Sequence, residues 1–171
     1  MSDEENEFKT DGLDRLAKAL KDDLSRVRVG VLGSRTVRNE SSPSSPKGAP
    51  RKPSPAAGEP TNASIGAKHE FGEAGMPRRS FLRVPIEELL QAKLDSSGMF
   101  GKAEMQEVLA QGSFEPWLDK VGAIAVGIVT EGFETGGYGK WAPWKDGYHS
   151  KGGQILVDTA QLKNSITFEV T

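Results

Sequence analysis

The run FEPWLDKVGAIAVGIVTEGF, Phe114 to Phe133, sets the architecture of the chain. Trp117, Val121, Ile124, Ala125, Ile128 and Val129 recur at helical spacing. Ser113 stands where a cap belongs, and Pro116 falls in the first turn, which predicts a central buried helix. Gly122 and Gly127 interrupt it. Each costs roughly 1 kcal/mol against alanine in a helix interior, so close packing against a neighbour is expected at both.

Toward the N-terminus, Ala103 to Gln111 predicts a short helix ended by Gly112, and SSGMFG before it is a break. FLRVPIEELLQAKL predicts another helix, with Phe81, Leu82, Ile86, Leu89 and Leu90 on one face and Pro85 in the first turn. NASIGAKHEFG predicts a short helix capped by Thr61 or Asn62 and stopped by Gly72. Its end, HEFG, places Glu70 or His69 to tie the helix to a loop while Phe71 enters the core. Further back, Val27, Val29 and Val31 alternate with Arg26, Arg28 and Gly30, which marks a half-buried strand. Leu13, Leu16, Ala17, Leu20 and Leu24 form one apolar helical face after an acidic tail of residues 1–10.

On the C-terminal side, GYGKWAPWKDGYHSKGGQILVDTAQLKNSI, Gly137 to Ile166, is rich in aromatics and glycine and has almost no helical periodicity. Such a turn builds a surface or staples a sheet. Asp158 or Thr159 can cap a short helix running into the alternation of Ile166, Phe168 and Val170. Together these elements predict one α+β domain over residues 11–171. Its small, mainly antiparallel sheet includes Arg26 to Leu32 and Ser165 to Val170, and three to five helices pack on it, among them those near 11–24, 80–94 and 113–133.

Residues 35–62 break the domain. Six prolines, many serines and almost no large apolar side chain cannot bury enough surface to offset ordering entropy. A projecting arm is expected, ordered by neighbouring subunits. Arg26, Arg28, Arg35, Arg38, Lys47, Arg51 and Lys52 outnumber Glu40 and Glu59 there, opposite the acidic Asp3, Glu4, Glu5 and Glu7. Arg51 and Lys52 are therefore candidate subunit contacts, with phosphate contact to DNA the competing reading.

The 171 residues carry a net charge of −2, 36% hydrophobic side chains and no cysteine, with a mean hydropathy of −0.49. These values exclude disulfides, thiolate metal sites and a global field that recruits nucleic acid or an anionic membrane. No apolar run reaches the roughly 18 residues of a membrane span, and MSDEENEFKTDG has no signal-peptide character, so a soluble, non-exported chain is expected. His69 and His149 are the only histidines, and neither shows metal-ligand spacing toward Glu70, Asp146 or Asp158. Neither a metal nor a cofactor is expected. Glu131, Glu134, Asp146 and Asp158, with Trp141 and Trp144 as sugar platforms, offer a carboxylate pair for glycosidic cleavage only if two of them flank a cleft. Arg78 and Arg79 suit an interface or simple solvation. Trp141, Pro143 and Trp144 suit either a subunit contact or a core staple.

VRVGVLG, then HEFG (His69 to Gly72), MPRRSFLR (Met76 to Arg83), KWAPW (Lys140 to Trp144) and ILVDTAQLKNSI (Ile155 to Ile166) occur in an order that resembles the tailed-bacteriophage virion morphogenesis family. Its members are tail completion, head–tail joining or neck proteins. The resemblance covers residues 26–34 and 63–171, about two thirds of the chain. Ala160 stands where the family often has glycine and Trp144 where it often has leucine. The resemblance implies a small ring-forming α+β subunit without enzymatic activity at the junction of capsid portal and tail. The ring would be hexameric or dodecameric, with portal, adaptor, tail-tube or terminator proteins as neighbours and channel DNA passing through. His69, Glu70, Phe71, Gly72, Pro77, Phe81, Pro143, Asp158, Thr159 and Leu162 are then the motif residues. A tail-associated cell-wall hydrolase acting through Glu134 and Asp146, and a protein-binding module with no viral role, are the alternatives.

Overall fold

Val27 to Val31 (β1) pairs antiparallel with Ile166 to Val170 (β2), with Val29 opposite Phe168 and Val31 opposite Ile166. The computed structural model describes residues 25–32, 61–144, 155–156 and 160–171. The register puts the valines, Ile166 and Phe168 on one face and leaves Arg28 and Glu169 on the other, 3.6 Å apart. Arg26 and Thr171 close the open end of the ladder with reciprocal backbone bonds of 2.7 and 2.9 Å.

Between the strands lie α1 (Asn62–Phe71), α2 (Arg83–Ser96), α3 (Lys102–Gln111), α4 (Glu115–Glu134) and α5 (Gln161–Ser165). The chain is α+β: among the described residues, five helices and one two-stranded antiparallel sheet. The expected helix at 11–24, the acidic tail and residues 35–60 of the expected arm lie outside the described residues, and the arm's last two, Thr61 and Asn62, open α1 instead. Thr61 caps α1 in a reciprocal box with Ser64, and Gly72 and Gly112 end α1 and α3. The expected helix from Phe81 begins only at Arg83, with Pro85 in its first turn. Phe114 holds the cap position of α4, while the Ser113 hydroxyl accepts from the Glu115 amide.

The central helix α4 lies across the apolar sheet face, and α2 packs chiefly against α4, where packing on the sheet itself was expected. Gly122 makes the α4–sheet approach possible: a Cβ there would fall 2.2 Å from the Phe168 ring. Gly127 differs from expectation. It is exposed and a Cβ would meet nothing within 4 Å, because it sits on the helix face turned from the sheet. Two apolar clusters result. The larger joins Phe81, Val129, Phe133, Trp141, Leu156, Leu162 and Ile166. The smaller joins Leu94, Met99 and Val121, with Leu90, Trp117 and Ile124 at its rim.

Candidate functional site

Asn62, Gly66 and Glu70 are the buried residues of α1, and their spacing of four places them on one inward stripe. Gly66 lets that stripe approach Leu162 and Phe81, where a Cβ would sit 3.3 Å from each. The next residue in the helix is turned about 100° away by helical geometry. Phe71 is accordingly 70% exposed, which overturns the expectation that it enters the core.

Glu70, 5% exposed, is the organising polar group. Its carboxylate accepts from the Ser80 hydroxyl and from the backbone N–H groups of Phe81, Leu82 and Arg83 at 3.0, 3.0 and 3.1 Å. These amides belong to the start of α2, where a helix leaves donors unpaired and a negative charge is favoured. Ser80 in turn accepts from the Val84 amide at 3.1 Å. A residue of one helix therefore caps the next, across a link of about ten residues.

The link itself passes beside the end of α1, with the Arg79 amide donating to His69 O at 2.8 Å. In extended chain successive side chains point to opposite sides, so Arg78 is exposed while Arg79 turns inward and is 3% exposed. Arg79 Nε donates to Ala142 O and its Nη2 to Pro143 O, both at 2.8 Å, and its guanidinium lies 5.1 Å over the Trp144 ring. Burial lowers the Arg79 pKa from its ordinary value, and a guanidinium keeps its charge through such a shift. Pro143 is exposed and Trp144 half-buried on the outside of this clamp.

Trp141 is buried. Its indole N–H donates to Ser80 O at 3.0 Å, and its ring meets Phe133 edge-on at 5.6 Å. Gly136, Gly137, Tyr138 and Gly139 all have positive φ, from 56° to 77°, and this left-handed turn carries the chain from the end of α4 back over the core. A Cβ on Gly137 would overlap the Trp141 ring at 2.2 Å. Tyr138 pins the turn by donating its hydroxyl to Ile128 O at 2.8 Å; burial, with the Glu131 carboxylate near, raises its pKa to about 12.

HEFG, MPRRSFLR, KWAPW and the described parts of ILVDTAQLKNSI thus meet in one junction. His69, Glu70, Gly72, Arg79, Phe81, Trp141, Pro143 and Leu162 take part in it or border it directly, and Pro77 lies half-buried on the link. Trp141 is a core staple, and Arg79 is committed within the chain. Arg51, Lys52, Asp146, His149, Asp158 and Thr159 lie outside the described residues. The expected cap of α5 is corrected in one respect: the cap position belongs to Ala160, at φ 55°. Ser80, Tyr138 and Phe100 carry no flag in the sequence. Ser80 alone had a readable signal, a serine just before a helix start.

The polar groups of the junction hold its segments together. Its carboxylate, guanidinium and indole N–H are each engaged by internal partners. Glu131 and Glu134 pair with Lys93 and Lys163 at 3.1 and 2.8 Å on exposed surface, and buried Trp141 presents no ring to a sugar. Among the described residues no three of His, Asp and Glu gather as a metal site requires, and no helix is long and apolar enough to cross a membrane. No family model, no curated protein and no solved structure matches the chain.

Proposed function

We propose that the chain is a structural subunit of the head–tail junction of a tailed-bacteriophage virion, a neck, tail completion or tail terminator protein. It assembles into a closed ring around the DNA channel and joins the capsid portal side to the tail. The work is mechanical: complementary surfaces hold neighbouring subunits, and no bond is made or broken. The observation that carries the reading is the convergence of four of the five resembling strings, so far as their residues are described, on one buried junction. Strings scattered along a chain by chance have no reason to interlock through Glu70, Arg79 and Trp141. The proposed partners are further copies of the chain, in a hexamer or dodecamer, and the portal, adaptor, tube or terminator proteins above and below. The Arg51 and Lys52 segment clips onto acidic surface of adjacent subunits, since its prolines lower the ordering cost of a wrapped arm.

Native mass spectrometry of the purified chain, with negative-stain imaging of the same sample, tests the reading. A closed ring of one stoichiometry is the expected result, and a chain that stays monomeric both alone and with portal or tube proteins overturns it. Deleting residues 36–60 should leave a folded monomer that assembles more weakly; undiminished rings would remove the clip. Retention of DNA that falls steeply with salt would assign the arm to phosphate contact instead. Turnover of peptidoglycan lost with Glu134→Gln would favour the hydrolase reading.

A further inference from the structure

Two large apolar side chains stand exposed among the described residues, Phe71 at 70% and Phe100 at 51%. They mark opposite ends of α2. Phe71 adjoins Glu70, which binds the amides at the start of α2, and Phe100 follows the turn that ends it. A helix of 14 residues spans about 20 Å, so the two patches cannot cover each other within one chain.

Their surroundings differ in a complementary way. Phe71 is a single projecting ring. Beside it, Arg78 lies so close to Gly72 that a Cβ there would fall 3.3 Å from the Arg78 backbone; Arg78 is exposed and has no acid within ion-pair reach among the described residues. Phe100 instead belongs to an aromatic face: its ring lies 5.8 Å from that of Trp117, which also meets Phe114 at 6.4 Å. Trp117 forms one wall of a shallow recess between α3 and α4, lined as well by Val108, Pro116, Glu104 and Glu107. Those two glutamates share one cation, Lys120, at 2.7 and 3.1 Å, so carboxylate is in excess there. One end offers a ring and a spare cation; the other offers an aromatic wall and a spare anion.

We infer that the Phe71–Arg78 end of one copy docks on the Phe100–Trp117 face of the next, with Arg78 reaching Glu104 and Glu107. The inference rests on the ring reading above and names the contact that builds the ring. Because the two patches are different, the contact is heterologous, and repeated head to tail it closes a ring where the rotation allows. The apolar ring supplies affinity and the charge pair fixes orientation.

Phe71→Ser and Phe100→Ser test the contact, each checked for a native melting profile. Both side chains are exposed, so the fold should survive. Each variant alone should fall to monomer, an association loss of about 30-fold or more, as for a hot-spot truncation. Mixed in equal amounts they should give a one-to-one dimer and nothing larger, since the mixture retains one intact ring side chain and one intact aromatic face. Arg78→Glu should weaken assembly, and adding Glu104→Arg should restore it. Rings that persist in both serine variants overturn this contact and leave the ring reading standing. A wild-type chain that stays monomeric both alone and with portal or tube proteins overturns both. Mixtures that give no dimer from wild-type rings overturn the head-to-tail geometry.

Discussion

The two apolar clusters of the domain are held in different ways. Around Phe81 and Trp141, burial is accompanied by directed polar bonds from Glu70, Arg79 and the Trp141 indole, each joining segments distant in sequence. Around Leu94 and Met99, the cluster is small; besides the Trp117 indole N–H, which donates to Met99 O at 2.8 Å, its polar links are exposed pairs such as Lys120 with Glu104 and Glu107, and Phe100 stands half in solvent. Buried and fully satisfied bonds specify one arrangement, because losing any of them strands a desolvated partner. Exposed pairs contribute little and adapt readily. The Phe81–Trp141 cluster is therefore the more tightly specified of the two, and the Leu94–Met99 cluster the freer to adjust.

The largest expected effects would break the more tightly specified cluster. Trp141→Ala should cost about 4 kcal/mol, since it empties the cluster and strands Ser80 O, whereas Phe100→Ala should cost about 1 kcal/mol for one aromatic contact. Urea unfolding of the two variants measures the contrast. Glu70→Ala comes next at about 3 kcal/mol, because the amides opening α2 lose their acceptor. Its signature is a loss of helix N-terminal order in amide chemical shifts.

Within α4 the same substitution should have opposite signs. Gly122→Ala collides with Phe168 and should cost about 2 kcal/mol. Gly127→Ala meets open space and should stabilise by up to about 1 kcal/mol. Thermal midpoints of the pair decide it. The smallest effect is alkaline. The Tyr138 phenol has its pKa raised above the unfolded value, so the fold binds this proton more tightly. Its stabilising contribution is complete below about pH 10, the unfolded value, and is lost as pH climbs toward 12. In a Tyr148→Phe background, phenolate absorbance should rise with a midpoint near 12 in the folded chain and near 10 in urea.

Local signals carried much of this fold. The valine alternation gave β1, the helical repeats gave α2, α3 and α4, and Gly72 and Gly112 marked helix ends. The junction was legible as strings but not as geometry. Phe71 looks like a core residue until the stripe of Asn62, Gly66 and Glu70 fixes which way α1 faces. Arg78 and Arg79 are indistinguishable until an extended link sends one outward and one over Trp144. The start of α2 at Arg83, later than the pattern from Phe81 indicates, is set by a carboxylate on another helix, which no local window contains. Ala160 is a further case. It occupies a left-handed position that favours glycine.

Amide hydrogen exchange resolved by residue tests the contrast between the two clusters most directly. The amides of Phe81, Leu82 and Arg83, held by Glu70, should exchange only when the whole domain unfolds, while those of α3 open locally and exchange at least about tenfold faster. Equal protection at the two sites, or faster exchange at Phe81 to Arg83, would contradict the division into a tightly specified junction and a looser second cluster.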